Sequence, residues 1–370
     1  MTVQRSFPVW AFVVTNYPPH SGGVEIHVEA VARRMVDRGI PVVVFAGESV
    51  GIRESAGVTV VGMGRNLEVG GAWSVPDPTR ALSLSGELAR RGVTQVSVHT
   101  RFFPATWLGI RAAHRVRIPV LLTEHGGGPV RAGSPMVTRL SQLVDSTVGR
   151  HALRTADSVV AVSERSAAWV RQLSGRRAAV VGNGIDYSFW SQLAGGVPLL
   201  DQLLFVGRMV PEKGWRQFLH LVASDPSRSP AILAGDGPDL EIARVEAHRL
   251  GISDRLSIPG SLSKHDLREL YSSSIYVNPS VAAEGCQGTL LEAAASGGRI
   301  ASYDVGGARE AQSSGAAIDI VPSADVRALA RSIAALRRRP GASPKGMQRY
   351  DWDTICDSYL DMSHPSGRLP

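Results

Sequence analysis

Two glutamates in the last third of the chain flank a glycine-containing turn. Glu284 and Glu292 stand eight positions apart in the segment AAEGCQGTLLEAAASGG, which follows the strand-like run IYVNPS. The alanine-rich part of this segment is expected to form a helix that begins near Gly288 or Thr289. The backbone N–H groups of Gly288, Thr289 and Leu290 would then lack helical partners and would attract an anion such as a phosphate.

The spacing of the two carboxylates indicates what could lie between them. Eight helical residues rise about 12 Å, which is similar to the span from the ribose to the sugar in a nucleotide-diphosphate sugar. One carboxylate could accept hydrogen bonds from hydroxyls of the ribose and the other from hydroxyls of the sugar. The alternative interpretation is a structural helix whose acidic residues suit its dipole. This segment alone does not decide between the two.

A second segment places two cations after a strand-like run. Arg208 and Lys213 lie in LLFVGRMVPEKGW, and the chain has only two other lysines, Lys264 and Lys345. Two cations at the carboxyl end of a strand can offset the charge of a diphosphate leaving group. The alternative is a pair of ordinary surface cations.

Two loops in the N-terminal half are further candidates. In TNYPPHSGGVEIHVEA, Gly22 and Gly23 enter a helix, so the backbone can approach a ligand closely and the helix start offers an anion site. In VLLTEHGGGPV, His125 follows a buried strand and precedes three glycines, which favours a substrate contact as much as a structural role. His99, which also follows a strand, is a weaker candidate.

Strand-like runs alternate with helical patterns along most of the chain. Short apolar runs recur from 9–14 to 158–162, and the alternation restarts from 202–208 to 316–321 after a loop-like stretch. This pattern predicts parallel sheets covered on both faces, in an α/β chain of two doubly wound domains with a boundary near 190–200. Ligands of such sheets bind beyond the carboxyl ends of the strands, so the loops after the strands are where we expect the site.

The charge of the chain leaves three classes of partner open. The formal net charge is +7 and the excess is almost all arginine, which admits nucleic acid, an anionic membrane or phosphorylated small molecules. The longest basic run is RRR, and aromatic residues do not interleave the basic ones, so we expect no nucleic-acid partner. Arg111, His114 and Arg115 could form a basic face for peripheral contact with anionic lipid, or only a solvated helix face.

Several other classes are excluded at this stage. The chain has no stretch of about 18 apolar residues and no secretory signal pattern, so a cytoplasmic protein is expected, with at most peripheral contact at the inner membrane face. Its two cysteines, Cys286 and Cys356, have no C-x-x-C partner, which argues against a disulfide framework or zinc site. The D-x-D motif at 351–353 is interpreted as a helix cap. We therefore expect no metal and no cofactor.

Taken together, these motifs resemble the retaining GT-B glycosyltransferases of family 4. The resemblance rests on SGGVEIHV, TEHG, GNGID, GRMVPEKGW, LAGDGPDLE and VNPSVAAEGCQGTLLEAAASGG, which occur in the family's order. It implies two Rossmann-like doubly wound domains that face each other across a cleft. Residues 1–190 would bind the acceptor and residues 191–345 the sugar nucleotide. Residues 346–370 would form a terminal helix that crosses back to the N-terminal domain.

The resemblance also implies a role for each candidate side chain. Arg208 and Lys213 look like ligands of the donor's diphosphate. Glu284 looks like the carboxylate that reads the donor sugar's hydroxyls, and Glu292 like the ribose ligand. His125 matches a histidine near the donor sugar and acceptor.

Backbone and apolar contacts to the donor are implied in the same way. The amides near Gly288, Thr289 and Leu290 would meet the phosphates, with Gly23 approaching them from across the cleft. Leu262, in PGSLS, would pack against the base.

Two departures from the family pattern put the donor sugar in doubt. The loop reads Glu-Gly-Cys-Gln-Gly where many members have an aromatic residue followed by glycine or proline, and Arg299 stands where proline is common.

The expected function follows from this resemblance. A retaining, metal-independent hexosyltransferase would move a sugar from a UDP- or GDP-sugar to a hydroxyl of a small-molecule or lipid-linked acceptor, in secondary-metabolite or cell-envelope glycoconjugate biosynthesis. Glu284, His125, Arg208 and Lys213 would form its catalytic group. The alternatives are a sugar-nucleotide epimerase of the same architecture and a non-catalytic protein that binds sugar nucleotides.

Overall fold

The computed structural model describes most of the chain and divides it into two compact units. The described residues are 8–20, 22–69, 73–129, 135–195, 201–322, 324–342 and 344–362. The first unit comprises Met1–Asn183 together with Trp352–Pro370, and the second comprises Gly184–Asp351. The chain therefore passes from one unit to the other after Asn183 and after Asp351. The sequence analysis placed these two boundaries after residues 190 and 345.

The first unit is built on an eight-stranded sheet. Its strands in chain order are β1 (Trp10–Val14), β2 (Val42–Ala46), β3 (Gly51–Ser55), β4 (Val58–Gly62), β7 (Gln95–His99), β8 (Val120–Glu124), β9 (Ser158–Ala161) and β10 (Ala179–Val180), while β5 (Leu67–Val69) and β6 (Trp73–Val75) form a separate antiparallel hairpin. The order across the sheet is β10-β9-β8-β7-β1-β2-β4-β3, and only β3 runs antiparallel to its neighbour. Every residue of β1, β2 and β7 is buried, because helices cover both faces.

In the described part of the first unit, seven α-helices surround this sheet. They are α1 (Gly23–Asp37), α2 (Pro78–Arg90), α3 (Pro104–Arg115), α4 (Pro135–Val144), α5 (Arg150–Thr155), α6 (Glu164–Ser174) and, after the second unit, α14 (Trp352–Met362), with a π-helical turn over Asp145–Gly149 between α4 and α5. One core packs β1 and β2 against α1 and α14. The other packs the opposite sheet face against α2, α3 and α5. Arg38, directly after α1, also pairs with Asp353 (3.1 Å) and Asp357 (3.0 Å) of α14, so the terminal helix is part of the first unit.

The second unit is a smaller parallel sheet with helices on both faces. Its strands are β11 (Leu203–Val206), β12 (Ala231–Ala234), β13 (Leu256–Gly260), β14 (Ile275–Asn278), β15 (Arg299–Tyr303) and β16 (Ala317–Val321), in the order β13-β12-β11-β14-β15-β16. Its helices are α7 (Tyr187–Trp190), α8 (Trp215–Ser224), α9 (Leu240–Arg249), α10 (Lys264–Ser273), α11 (Gly288–Ala295), α12 (Ala308–Ser313) and α13 (Val326–Leu336). Short 3₁₀ turns span Ser191–Leu193, Pro211–Lys213 and Pro344–Tyr350.

The predicted α/β class with two Rossmann-like units is confirmed. In the second sheet β11 pairs with β12 on one side and with β14 on the other, so the strand order reverses between β11 and β14. Such a reversal opens a crevice beyond the carboxyl ends of the strands, which is where ligands of these sheets bind. In the first sheet the same reversal falls between β1 and β7. In the described part of the chain, no helix is long and apolar enough to cross a membrane.

Candidate functional site

The loops that follow β11 and β14 bring two predicted site residues together. Nζ of Lys213 lies 2.5 Å from Oε1 of Glu284. The Lys213 side chain is 18% exposed and that of Glu284 is 36% exposed. Arg208, on the same loop as Lys213, is exposed and has no ion-pair partner among the residues that the structure describes. The second unit thus holds one paired and one unpaired cation at the reversal point of its sheet.

Backbone contacts fix the Lys213 loop against the Glu284 loop. The carbonyl of Glu212 accepts hydrogen bonds from the N–H of Val281 (2.9 Å) and from Oγ of Ser280 (3.3 Å). Gly214 has φ of +81°, and a Cβ there would overlap the carbonyl oxygen of Pro279. Only glycine suits this position, so the glycine of the E-K-G motif serves the approach of the two loops.

Glycines of the LAGDGPDLE segment support the Lys213 loop from its other side. A Cβ on Gly235 would overlap the carbonyl of Gly207, and one on Gly237 would press on the backbone of Met209. The Met209 N–H donates to the carbonyl of Asp236 at 2.8 Å. These close backbone approaches hold the segment that carries Arg208 and Lys213.

Helix α11 begins at Gly288, as the sequence predicted. Its N-terminal backbone follows Gln287, whose buried side chain accepts a hydrogen bond from Nδ2 of Asn278 at 2.7 Å and gives the helix no side-chain cap. A Cβ on Gly288 would meet no atom within 4 Å. Leu290 is fully buried, so the amide of Leu290, not its side chain, remains the group predicted to meet a phosphate. The space next to the Cα atom of Gly288, at the start of α11, is therefore open.

Glu292 lies one turn further along α11, in an unusual environment. Burial raises the pKa of its carboxyl group to about 7, although the charge of Lys264 opposes this shift. The carboxylate has no hydrogen-bond donor among the described residues. Burial raises the pKa values of Tyr271 and Tyr276, and the nearby charge of Glu292 also raises them. An incompletely solvated carboxylate without a donor is suited to accept hydrogen bonds from ligand hydroxyls.

Thr289 and Leu262 complete the predicted donor group of the second unit. The Tyr276 hydroxyl donates to Oγ1 of Thr289 at 3.1 Å. Leu262 is partly buried in the loop between β13 and α10, directly before Ser263, which caps α10 through the N–H of Asp266 (3.2 Å). The loops after β11, β13 and β14 all begin at the same edge of the sheet, because these strands are parallel. The ligand roles of these residues stay predictions.

Gly23 and its neighbours lie at the start of α1 in the first unit. A Cβ on Gly23 would meet nothing within 4 Å, whereas one on Gly22 would overlap the carboxylate of Glu25. Because the end of the Glu25 side chain can move aside, packing within the described residues requires glycine at neither position. The predicted phosphate contact of Gly23 has open space around it.

His125 belongs to a cluster of three histidines that the sequence did not predict. Nε2 of His125 lies 3.1 Å from Nδ1 of His99, and the ring of His27 contacts that of His125 edge-on at 4.9 Å between centroids. Burial lowers the pKa of His27 to about 4 and lowers those of His99 and His125 well below the usual range. All three imidazoles are therefore neutral near pH 7.

These three histidines could offer three ligand atoms to a metal, since one ring nitrogen of each lies within 4.8 Å of the others. Hydrogen bonds already occupy both nitrogens of His27, with Asn183 at 3.2 Å and Tyr359 at 2.8 Å. His99 uses its second nitrogen for Ser97 at 3.2 Å. The arrangement fits a hydrogen-bonded network that orients His125, and a metal would have to replace these bonds.

A buried charge cluster holds the glycine loop after His125. Arg101 is 1% exposed and pairs with Glu124 (2.6 Å) and Asp145 (2.7 Å). Nη2 of Arg101 also donates to the carbonyl of Gly128 at 3.1 Å, and the N–H of Gly126 donates to Glu124 at 2.6 Å. Sequence reasoning missed this cluster because its three members come from separate segments; the only local signal was an acid, Glu124, inside an apolar strand.

The two departures from the family pattern have structural explanations. Cys286 is 8% exposed and Gln287 3% exposed, so both pack inside the second unit. Arg299 is buried at the first residue of β15, where its guanidinium donates to the carbonyl of Ser273 at 3.1 Å. Ser273 is the last residue of α10, and a cation stabilises a helix C-terminus. Arg299 therefore lies at the amino end of its strand, and the sequence interpretation that linked it to donor choice has no support from its position.

The predicted basic face on α3 lies apart from the candidate sites. Arg111, His114 and Arg115 are exposed and line a cavity of about 510 Å³ beside α5, with Trp107 and His151. Peripheral lipid contact at this face stays a prediction.

Two Rossmann-like units with binding loops at the carboxyl ends of their strands are the architecture of the GT-B glycosyltransferases. Residues 21–189 match Glycosyltransferase Family 4, and residues 201–339 match Glycosyl transferases group 1. The chain belongs to the GT-B glycosyltransferases of family 4.

Known relatives cover nearly all of the chain. A 2-deoxystreptamine N-acetyl-D-glucosaminyltransferase of Streptomyces fradiae is 27% identical over 90% of this chain and 89% of its own length. Sucrose-phosphate synthase of Thermosynechococcus elongatus has a TM-score of 0.74 at 19% identity, with coverage of 96% and 98%. HepE of Anabaena, solved in complex with UDP-glucose, has a TM-score of 0.70 at 18% identity, with coverage of 96% and 98%. The structural likenesses establish the fold.

Proposed function

We propose that this glycosyltransferase moves a sugar from a nucleoside-diphosphate sugar to a hydroxyl of a small acceptor, with retention of anomeric configuration. The observation that carries the proposal is the Lys213–Glu284 pair at the sheet reversal of the second unit, beside the open N-terminus of α11. The Lys213 ammonium suits an anion, and the Glu284 carboxylate suits sugar hydroxyls. A structural neighbour solved with UDP-glucose supports a donor of this kind.

The second unit would bind the donor. Arg208 and Lys213 would face the diphosphate, and the free amides of Gly288, Thr289 and Leu290 would add hydrogen bonds to its oxygens. These groups stabilise the negative charge that grows on the diphosphate as the bond to the sugar breaks.

The two carboxylates would fix the ends of the donor. Glu284 would accept hydrogen bonds from the sugar hydroxyls, and Glu292 from the ribose hydroxyls. Leu262 would pack against the base. UDP- and GDP-sugars are both compatible with this arrangement.

The transfer step would need no enzymatic base. The acceptor hydroxyl attacks the anomeric carbon from the face that the diphosphate leaves, the bond from that carbon to the diphosphate oxygen breaks, and a diphosphate oxygen takes the proton of the hydroxyl. Configuration is retained because attack and departure share one face. We assign acceptor binding to the first unit, with His125 at the reacting sugar and Gly23 at the phosphates.

The name of one relative supports a choice between the two acceptor classes. The Streptomyces fradiae protein is named for 2-deoxystreptamine, a small polyhydroxylated compound. We therefore propose a soluble polyhydroxylated acceptor and secondary-metabolite biosynthesis, in preference to a lipid-linked acceptor of the cell envelope.

The test is a transfer assay with UDP- and GDP-sugars and a panel of polyhydroxylated acceptors, in buffer with and without EDTA. Mass spectrometry should detect a glycosylated acceptor, and NMR of the anomeric proton should show the donor's configuration. A donor isomerised without acceptor would indicate the epimerase instead. Binding without any product across the panel would favour the non-catalytic alternative, and an inverted product would contradict retention.

A further inference from the structure

The Lys213–Glu284 ion pair joins two of the predicted donor-binding groups to each other. Nζ and Oε1 are 2.5 Å apart, and neither side chain has a second ion-pair partner within the described ranges. A ligand phosphate that takes the Lys213 ammonium must therefore compete with the Glu284 carboxylate. The outcome depends on what the ligand offers to Glu284 in return.

The two loops that carry the pair have little freedom to separate. The bond from Val281 to the Glu212 carbonyl (2.9 Å) and the contact of Gly214 with Pro279 tie their backbones together next to the ionic side chains. Because backbone contacts already hold the loops, the ion pair is not needed for that purpose. Because the loops stay together, a Glu284 carboxylate displaced from Lys213 stays close to the phosphate that displaced it.

A sugar-free nucleoside diphosphate leaves this carboxylate without a partner. Its phosphates would pair with Lys213 and Arg208, and Glu284 would then face another anion with only water to solvate it. Like charges at such separations repel, and the repulsion is stronger in a partly desolvated site than in bulk water. The intact donor differs because its sugar supplies hydroxyls that donate to the displaced carboxylate.

We propose that the Lys213–Glu284 pair makes the donor site discriminate against the sugar-free nucleoside diphosphate, so that loss of the sugar in the reaction weakens product binding. This inference rests on the proposed function. Glu284 thereby has two roles. It accepts hydrogen bonds from the sugar before transfer, and it pairs with Lys213 again after transfer. Specificity of this kind uses a repulsive element as well as an attractive one.

The experiment is isothermal titration calorimetry of UDP, UDP-glucose, GDP and GDP-mannose with the wild type and Glu284→Gln. The amide keeps the size of the carboxylate and removes its charge. We expect Glu284→Gln to bind the sugar-free nucleotide about tenfold more tightly, a change of about 1.4 kcal/mol, while the sugar nucleotide gains nothing or weakens. Glu212→Gln is the matched control, because Glu212 is exposed and contributes through its backbone carbonyl; its affinity ratio should equal that of the wild type.

An unchanged ratio of the two affinities in Glu284→Gln, including equal weakening of both ligands, would overturn the inference, because the carboxylate would then not discriminate. Circular dichroism and melting temperature should confirm that the variant folds, and Glu284→Ala should shift the ratio in the same direction. A wild type that binds none of the four ligands would instead overturn the proposed function, and the inference with it.

Discussion

The hydroxyl of Tyr359 lies 2.8 Å from Nε2 of His27, although 332 positions separate the two residues in sequence. The same hydroxyl lies 2.7 Å from Oγ1 of Thr123 in β8. The terminal helix α14 is therefore joined to the polar network around His125, and not only to the apolar core of the first unit. Tyr359 and His27 are both fully buried or nearly so.

Removing this hydroxyl should destabilise the first unit. Tyr359→Phe leaves buried polar groups on His27 and Thr123 without a partner, which costs about 1–3 kcal/mol. Urea denaturation should measure the loss. Tyr303→Phe is the matched control, because the buried hydroxyl of Tyr303 has no hydrogen-bond partner among the described residues; that change should be neutral or slightly stabilising. Equal effects of the two changes would contradict the importance of the network.

The histidine cluster should make the protein sensitive to acid. The folded-state pKa of His27 is about 4, and those of His99 and His125 are also lowered, by burial. Unfolded histidine titrates near 6.5, so the unfolded state binds more protons between these values and stability falls as pH drops from about 6.5 towards 4. Glu292, with its raised pKa, acts in the opposite direction and offsets part of this loss.

The free energy of unfolding should therefore be measured at pH 7.5, 6.5 and 5.5. We expect a decrease towards acid that corresponds to uptake of more than one proton on unfolding. His99→Gln should reduce that uptake by about one. A free energy of unfolding that stays constant from pH 7.5 to 5.5 would contradict neutral burial of the cluster.

Glu292 should couple donor binding to proton release. Its pKa is about 7 because of burial, and hydroxyls that donate to it stabilise the charged form and lower the pKa. Affinity for the donor should therefore rise as pH increases from about 6 to 8. Calorimetry at pH 7 in two buffers of different ionisation enthalpy should detect proton release, and Glu292→Gln should abolish it. Proton uptake on binding would contradict the ribose role.

The Arg101 cluster should contribute strongly to stability. Arg101→Leu would leave Glu124 and Asp145 buried without their cation, and breaking a buried pair in this way costs about 3–5 kcal/mol. Arg228→Ala is the control, because Arg228 pairs with Asp254 at 3.0 Å on an exposed surface, where such pairs contribute about 0–1 kcal/mol. Chemical denaturation of both variants measures the difference. Similar losses would show that the buried cluster does not depend on Arg101.

Gly288→Ala should separate folding from donor binding. The added methyl group meets no protein atom within 4 Å, so the variant should fold with a melting temperature close to that of the wild type. It should nevertheless bind the donor more weakly, about tenfold or more, because the methyl group would occupy the space next to the phosphates. Gly86→Ala, at another open helical position, should leave binding unchanged. Unimpaired binding by Gly288→Ala would contradict a phosphate at this helix start.

The sequence predicted the second unit more completely than the first. Strand and helix limits around Glu284 and Gly288 agree with the structure within one or two residues, because buried parallel strands and glycine-containing turns leave strong local patterns. The ion pair between Lys213 and Glu284 could not be predicted from local pattern, since it depends on pairing of β11 with β14.

The first unit shows where local patterns are insufficient. Strand β3 is mostly exposed and the short strand β10 has two residues, so neither produces a buried apolar run, and both were missed. The links from His27 to Tyr359 and from Arg101 to Asp145 join distant segments through side chains. Patterns of period 2 or 3.6 carry no information about such contacts.

A crystal structure of the protein with a bound UDP- or GDP-sugar would test the proposed donor site most directly. We expect the diphosphate to lie within hydrogen-bonding distance of Nζ of Lys213 and of the Gly288 and Thr289 amides, with Glu284 contacting the sugar and Glu292 the ribose. Electron density for the ligand elsewhere, with Lys213 still bound to Glu284, would contradict this expectation.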